Sequence, residues 1–319
     1  MNRQQREELE ALAPDYSFYY HDLDTFASRS DAQSLMEQAE VIIGNLSPEK
    51  ISKLRNLKWM QLFSAGANGY TDNGGFPTQA VLTNATGAYG LAISEHMLGM
   101  LLMLQKKLHL YRDNQPQGLW KSEGNITAVE ESRTLVIGLG DIGGDFAKKM
   151  KALGSYTVGV KRHASAKPDY LDELHLSDAL DKLLPEADIV ALSLPETDET
   201  KQMLDRKRIG LLKNSAYVLN VGRGSAIDTE ALSDALDQNK LAGAGLDVTD
   251  PEPLPADHRL WKMKNALITP HVSGGFHLKS TQNRIASITI ENMKRYIKGE
   301  SLINQVDFNT GYRKFDQNL

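Results

Sequence analysis

Three polar residues stand just past three apolar runs: Arg223 after AYVLNVG (216–222), Glu252 within LDVTDPEPLP (246–255), and His271 closing ALITPH (266–271). A histidine near neutral pH can donate the proton that a ketone needs as a hydride reaches its carbon. A carboxylate beside the imidazole orients it and favours its charged form. An arginine can clamp a carboxylate through paired hydrogen bonds and polarise the neighbouring carbonyl. The set therefore points to reduction of a small 2-keto acid, with Arg223 as anion clamp, His271 as acid/base and Glu252 as its partner.

A hydride needs a carrier. GLGDIG (138–143) directly follows the apolar run TLVI and opens a helical pattern, with another apolar run about a dozen residues on. In such a strand-turn-helix, Gly138 makes the tight turn, Gly140 lets a pyrophosphate approach the backbone, and Gly143 allows close helix packing. The amides of Asp141 and Ile142 fall at the helix N-terminus, where backbone donors and the helix dipole favour phosphate. The next run ends VGVKRHAS (158–165), so Lys161, Arg162 and His163 stand where an NAD enzyme places a carboxylate for its ribose. Cations there suit a 2′-phosphate, which predicts NADP(H) preference; NAD(H) held by other contacts is the alternative. Asp247, closing the run before Glu252, is a candidate partner for the nicotinamide carboxamide.

These residues need strand ends to converge. Apolar runs at 134–140, 156–162, 188–195, 216–222, 242–248 and 266–271 alternate with amphipathic stretches, the pattern of a parallel sheet with crossover helices. In an open parallel sheet, ligands bind beyond the carboxyl ends of the strands. A first series of runs lies at 41–44, 59–63 and 80–84, and long helices are expected over 93–110 and from residue 280. The simplest topology inserts a dinucleotide-binding domain (99–280) into a smaller domain made from both chain ends (1–98 and 281–319), with the two bracketing helices as hinges.

GLGDIG, NVGRGSAID, LDVTDPEPLP and TPHVSG resemble, in order and spacing, the signature segments of the D-isomer-specific 2-hydroxyacid dehydrogenases. The resemblance implies an α/β fold in which a Rossmann-type doubly wound parallel sheet is inserted into a smaller flavodoxin-like substrate domain. It also implies a homodimer built around the first long helix, and the same Arg223, Glu252 and His271 roles. By the same resemblance, Ser64, Ala65 and Gly66 of SAGANG (64–69) offer amides to the substrate carboxylate. Ser193, Leu194 and Pro195 flank the adenosine, and the Val221–Gly222 backbone lines the nicotinamide. Two departures stand out: Lys161 and Arg162 replace the family's acidic ribose ligand, and Gly274 and Gly275 follow the histidine where many members carry a bulky residue.

Composition narrows the alternatives. A net charge of −5 offers no basic face for nucleic acid. No run of about 18 uncharged apolar residues would span a membrane. With no cysteine and no signal-peptide pattern at the N-terminus, the expected location is cytoplasmic. The remaining histidines lack ligand spacing, so no metal is expected. A glutamine in place of Glu252 would have suggested a formate dehydrogenase. A short phosphoglycerate dehydrogenase, or a non-enzymatic cofactor sensor or corepressor on the same fold, stays open on these residues.

Overall fold

A computed structural model describes residues 1–20, 31–67, 69–71, 75–309 and 311–314. The chain forms two compact units, Gly90–Gly275 and a discontinuous one made of Met1–Tyr89 with Phe276–Leu319. The sequence puts these breaks at 98/99 and 280/281. The first shifts because the whole Gly90–Gln105 helix packs on the larger sheet: Gly245 leaves room for Met100, and Gly243 for Leu104.

The larger unit holds seven parallel strands: β4 (Arg133–Ile137), β5 (Tyr156–Lys161), β6 (Glu173–Leu176), β7 (Ile189–Leu192), β8 (Tyr217–Asn220), β9 (Gly243–Leu246) and β10 (Ala266–Ile268). Their order is β10-β9-β8-β7-β4-β5-β6, so the chain starts mid-sheet, winds outward through β5 and β6, then returns to β7 on the other side of β4. That reversal between β4 and β7 is the switch point at which doubly wound sheets bind ligands. Register aligns the strand ends: Ile137 pairs with Leu192, Leu192 with Asn220, Asn220 with Leu246, and Leu246 with Ile268. The residues that follow share one rim. β7 and β8 are buried along their whole length, which is why their sequences are apolar runs rather than alternating ones.

Two features depart from the sequence expectation. β6 was not foreseen, because ELHL is a short edge strand with partly exposed, mixed residues. The helix expected over 93–110 breaks: Lys107 is left-handed (φ 56°) between Gly90–Gln105 and Leu108–Asn114, at the point where the apolar run meets Lys106 and Lys107.

Within the smaller unit, β1 (Val41–Ile43), β2 (Trp59–Gln61) and β3 (Val81–Thr83) form a parallel sheet in that order. The Arg3–Leu12 helix packs with Lys279–Lys298, which ends at a left-handed Gly299. Trp59, fully buried, packs its ring at a tilt against Tyr296 and donates its indole N–H to Thr83 Oγ1 at 2.8 Å. β11 (Val306–Asp307) and β12 (Tyr312–Arg313) make an antiparallel ribbon. Among the described residues, no helix is long and apolar enough to cross a membrane.

Candidate active site

The glycine turn leaves β4 and is shaped by what each glycine excludes. Gly138 is left-handed (φ 94°), and a Cβ there would stand 2.8 Å from the Ser193 carbonyl oxygen. A Cβ on Gly143 would overlap the Gly138 carbonyl, so the Asp141–Ala152 helix seats directly on the turn. Gly140 is different: among the described residues a Cβ there meets nothing within 4 Å. The backbone is thus open where a phosphate must come close, and the helix N-terminus with the Asp141 and Ile142 amides follows at once. Ser193 Oγ donates to the Gly138 carbonyl at 2.8 Å, and Gly222 packs on the Leu194 backbone. The segments after β7 and β8 thus pack against the glycine turn and one another, with Ser193, Leu194 and Pro195 partly exposed and Val221 and Gly222 buried. The Asp141 carboxylate accepts from the Gly90 amide at 2.7 Å, capping the Gly90–Gln105 helix.

At the end of β5, Lys161 donates to Ser165 Oγ at 2.6 Å, and Arg162 Nε donates to His163 Nε2 at 2.9 Å. Glu199, unmarked in the sequence reading, pairs with Arg162 at 3.4 Å, with both side chains largely in solvent. Exposed pairs of this kind contribute little.

The three polar strand-end residues stand on adjoining loops. Arg223 follows β8 and donates to its neighbour's carbonyl, Gly222 O, at 2.7 Å. A Cβ on Gly224 would overlap the Thr249 carbonyl group, so the Arg223 loop packs on the loop that carries Glu252. His271 Nδ1 lies 2.6 Å from Glu252 Oε1, with both side chains nearly half exposed. An ionised carboxylate can only accept, so Nδ1 carries the hydrogen and Nε2 is left to exchange a proton. This is a competent proton-transfer pair.

Asp247, the candidate partner for the nicotinamide carboxamide, lies just past β9 (Gly243–Leu246). Its side chain has no solvent-accessible surface, and its oxygens are engaged by the loop after β10. His96, set aside in the sequence reading, reaches that loop through Thr269. Three further histidines settle into ordinary contacts: His175 with Glu173, His258 with Glu230, and His109 between two backbone carbonyls. Among the described residues no group of three His, Asp or Glu side chains could hold a metal ion.

In the smaller unit, the Ser64, Ala65 and Gly66 segment follows β2. Asn45 donates to Ser64 Oγ at 3.0 Å and accepts from the Phe63 amide at 2.8 Å, while Asn84 donates to the Ala65 carbonyl at 2.8 Å. Burial pushes the Tyr89 hydroxyl up to about 12, so it stays protonated and donates to the Phe63 carbonyl. Asn68 of the same loop lies outside the described residues.

Comparison with known proteins shows the family. Residues 98–273 match the family model of the D-isomer specific 2-hydroxyacid dehydrogenase, NAD binding domain. A glyoxylate reductase of Korarchaeum cryptofilum is 31% identical over 236 residues, 72% of this chain and 68% of that protein. A solved D-isomer specific 2-hydroxyacid dehydrogenase family protein from Aeromonas salmonicida is 32% identical with a TM-score of 0.79, covering 96% of this chain and 97% of that one. A D-isomer specific 2-hydroxyacid dehydrogenase from Xanthobacter autotrophicus, solved with NADPH and MES, is 26% identical with a TM-score of 0.78, covering 98% and 96%.

Proposed function

The chain belongs to the D-isomer specific 2-hydroxyacid dehydrogenases, and from that premise we propose that it reduces a small 2-keto acid to the D-2-hydroxy acid with a preference for NADPH. The observation that carries the reaction is the 2.6 Å contact between His271 and Glu252. A bound reduced nicotinamide supplies the hydride. His271 Nε2 gives the keto oxygen its proton, and Glu252 holds the ring in the tautomer that does so. Arg223 grips the substrate carboxylate and polarises the ketone. In the smaller unit, Ser64, Ala65 and Gly66 are assigned to the substrate carboxylate through the resemblance of SAGANG, a reading supported by the side chains that hold their backbone in place.

NADPH preference rests on Lys161, Arg162 and His163, three residues that can turn cationic or neutral donors toward a 2′-phosphate. The exposed Glu199 is weakly held and easily displaced from Arg162 by such a dianion. The Xanthobacter relative was solved with NADPH, and the Korarchaeum relative is named a glyoxylate reductase, which makes glyoxylate a first substrate to try. The test is absorbance at 340 nm with NADPH or NADH and a panel of glyoxylate, hydroxypyruvate, pyruvate and a branched 2-keto acid. Turnover with NADPH at a higher kcat/KM than with NADH is expected. Equal efficiency would sink the cofactor preference, and no turnover at all would sink the enzyme reading.

We further propose a homodimer. Leu108, Leu119, Trp120 and Ile126 are all about half exposed or more, Trp120 completely so, on one segment after the Gly90–Gln105 helix. Apolar side chains clustered in this way mark an association surface. Light scattering should give twice the chain mass, and the mass of one chain would contradict it.

A further inference from the structure

Two loops meet at the carboxyl end of the smaller unit's parallel sheet, the rim at which such sheets bind ligands. Gly44 and Asn45 follow β1, and Phe63 follows β2 directly before Ser64, Ala65 and Gly66. The Phe63 backbone is pinned at both polar atoms: its amide donates to Asn45 Oδ1 at 2.8 Å, and its carbonyl accepts from the Tyr89 hydroxyl at 2.5 Å. Asn45 also donates to Ser64 Oγ, which donates in turn to the Gly66 carbonyl at 2.7 Å. A Cβ on Gly44 would stand 3.6 Å from the Phe63 ring, so that ring lies over the end of β1.

Leu62 is fully buried, but Phe63 beside it is only partly so. A second ring joins it. Phe276 packs on Phe63 with centroids 6.3 Å apart and planes tilted by 36°, yet 47% of it is exposed. An aromatic pair left partly in solvent at a ligand-binding rim is an apolar surface that a ligand can cover.

In a 2-keto acid only the keto carbon separates the carboxylate from the side chain. A carboxylate held by the amides of residues 64–66 therefore keeps its side chain within two bonds of the loop that Phe63 opens. The hydrogen of glyoxylate or the hydroxymethyl group of hydroxypyruvate gains little from two aromatic rings. A branched alkyl or benzyl group buries apolar surface against them, and a benzyl ring adds edge-on or offset stacking.

We propose that Phe63 and Phe276 form the wall on which the substrate's side chain packs, and that the preferred substrates are 2-keto acids with a branched apolar or aromatic side chain. The inference rests on the reading of the chain as a keto-acid reductase with residues 64–66 at the substrate carboxylate.

The test measures kcat/KM for phenylpyruvate, 4-methyl-2-oxopentanoate and glyoxylate at saturating reduced cofactor in the wild type, Phe63→Ala, Phe276→Ala and Phe276→Leu. The readout is the ratio of each larger acid to glyoxylate, because a general fault in folding or catalysis lowers both members of the ratio. In the wild type both ratios should exceed about 10, as apolar groups filling an apolar pocket give. Either alanine variant should lower the phenylpyruvate ratio about tenfold or more. Phe276→Leu should lower the phenylpyruvate ratio more than the 4-methyl-2-oxopentanoate ratio, since leucine keeps apolar bulk and removes the ring. Wild-type ratios below about 1, or ratios that neither alanine variant changes, would overturn the aromatic wall while leaving the reductase reading intact. No turnover of any of the three acids would instead remove the reductase reading, and the wall with it.

Discussion

The two ends of the larger sheet's carboxyl rim are built in opposite ways. Beyond β9 and β10, a fully buried carboxylate gathers three donors from one loop, and His271 is held in a conformation it would not adopt alone. Beyond β5, Lys161, Arg162 and His163 lie near solvent, and Arg162 has a long ion pair to an exposed Glu199. Proton transfer requires a reacting atom held to within a fraction of an ångström, which only a packed and hydrogen-bonded surround provides. Choosing between two cofactors that differ by a phosphate requires cationic donors, which exposed side chains can supply. On the proposed reading, the reaction is set where substitutions are costly to the fold, and cofactor choice where they are cheap.

The comparison is broken most sharply at its rigid end. His271→Ala should lower kcat about 1,000-fold, the scale of lost general acid catalysis, with NADPH Kd nearly unchanged in a fluorescence titration. A kcat within about tenfold of wild type would move the proton donor elsewhere. At the permissive end, Arg162→Asp should raise KM for NADPH about 10- to 100-fold and leave NADH kinetics and the melting temperature near wild type. A fall in melting temperature equal to that of a core substitution would show that the two ends are not built differently. Glu199→Gln frees Arg162 from its exposed partner, so KM for NADPH should drop by about threefold or less. A rise instead would make Glu199 part of the site.

The smallest effect lies away from the rim, on β6. Hydrogen bonds from His175, then Arg133 and Tyr156, hold the Glu173 carboxyl down at about 2, against an ordinary 4.5. A lowered carboxylate stabilises the fold above its ordinary range and loses that contribution as pH falls through 4.5 toward 2. Glu173→Gln should thus lower the melting temperature by about 2 °C at pH 7, with the difference shrinking as the pH is taken down toward 3. A difference that persists unchanged at pH 3 would assign the effect to packing rather than charge.

Much of the site was legible in the residues. GLGDIG after an apolar run locates the turn, and Gly138 and Gly143 leave no room for a Cβ. Arg223, Glu252 and His271 were readable because each lies in the segment that follows an apolar strand, and parallel strands in register bring their ends together. ELHL gave no such signal, since an edge strand needs no continuous apolar run. Glu199 was equally silent: it meets Arg162 from 37 residues away, through side chains that no periodicity links.

What the amino-acid order determined by itself was the parallel sheet, the glycine turn and the identity of the polar groups at the strand ends. These follow from local patterns: apolar runs that bury both faces, and glycines where no Cβ fits. What only the tertiary structure decided was which of those groups face outward. Asp247 and His271 both end strands of the same sheet, yet one is sealed and the other open. The difference arises because the loop after β10 folds its amides onto Asp247, 25 and 26 residues away, while His96 closes the same cluster from 173 residues before Thr269. A carboxylate's surroundings are set by whatever packs over it, and that is a property of the fold.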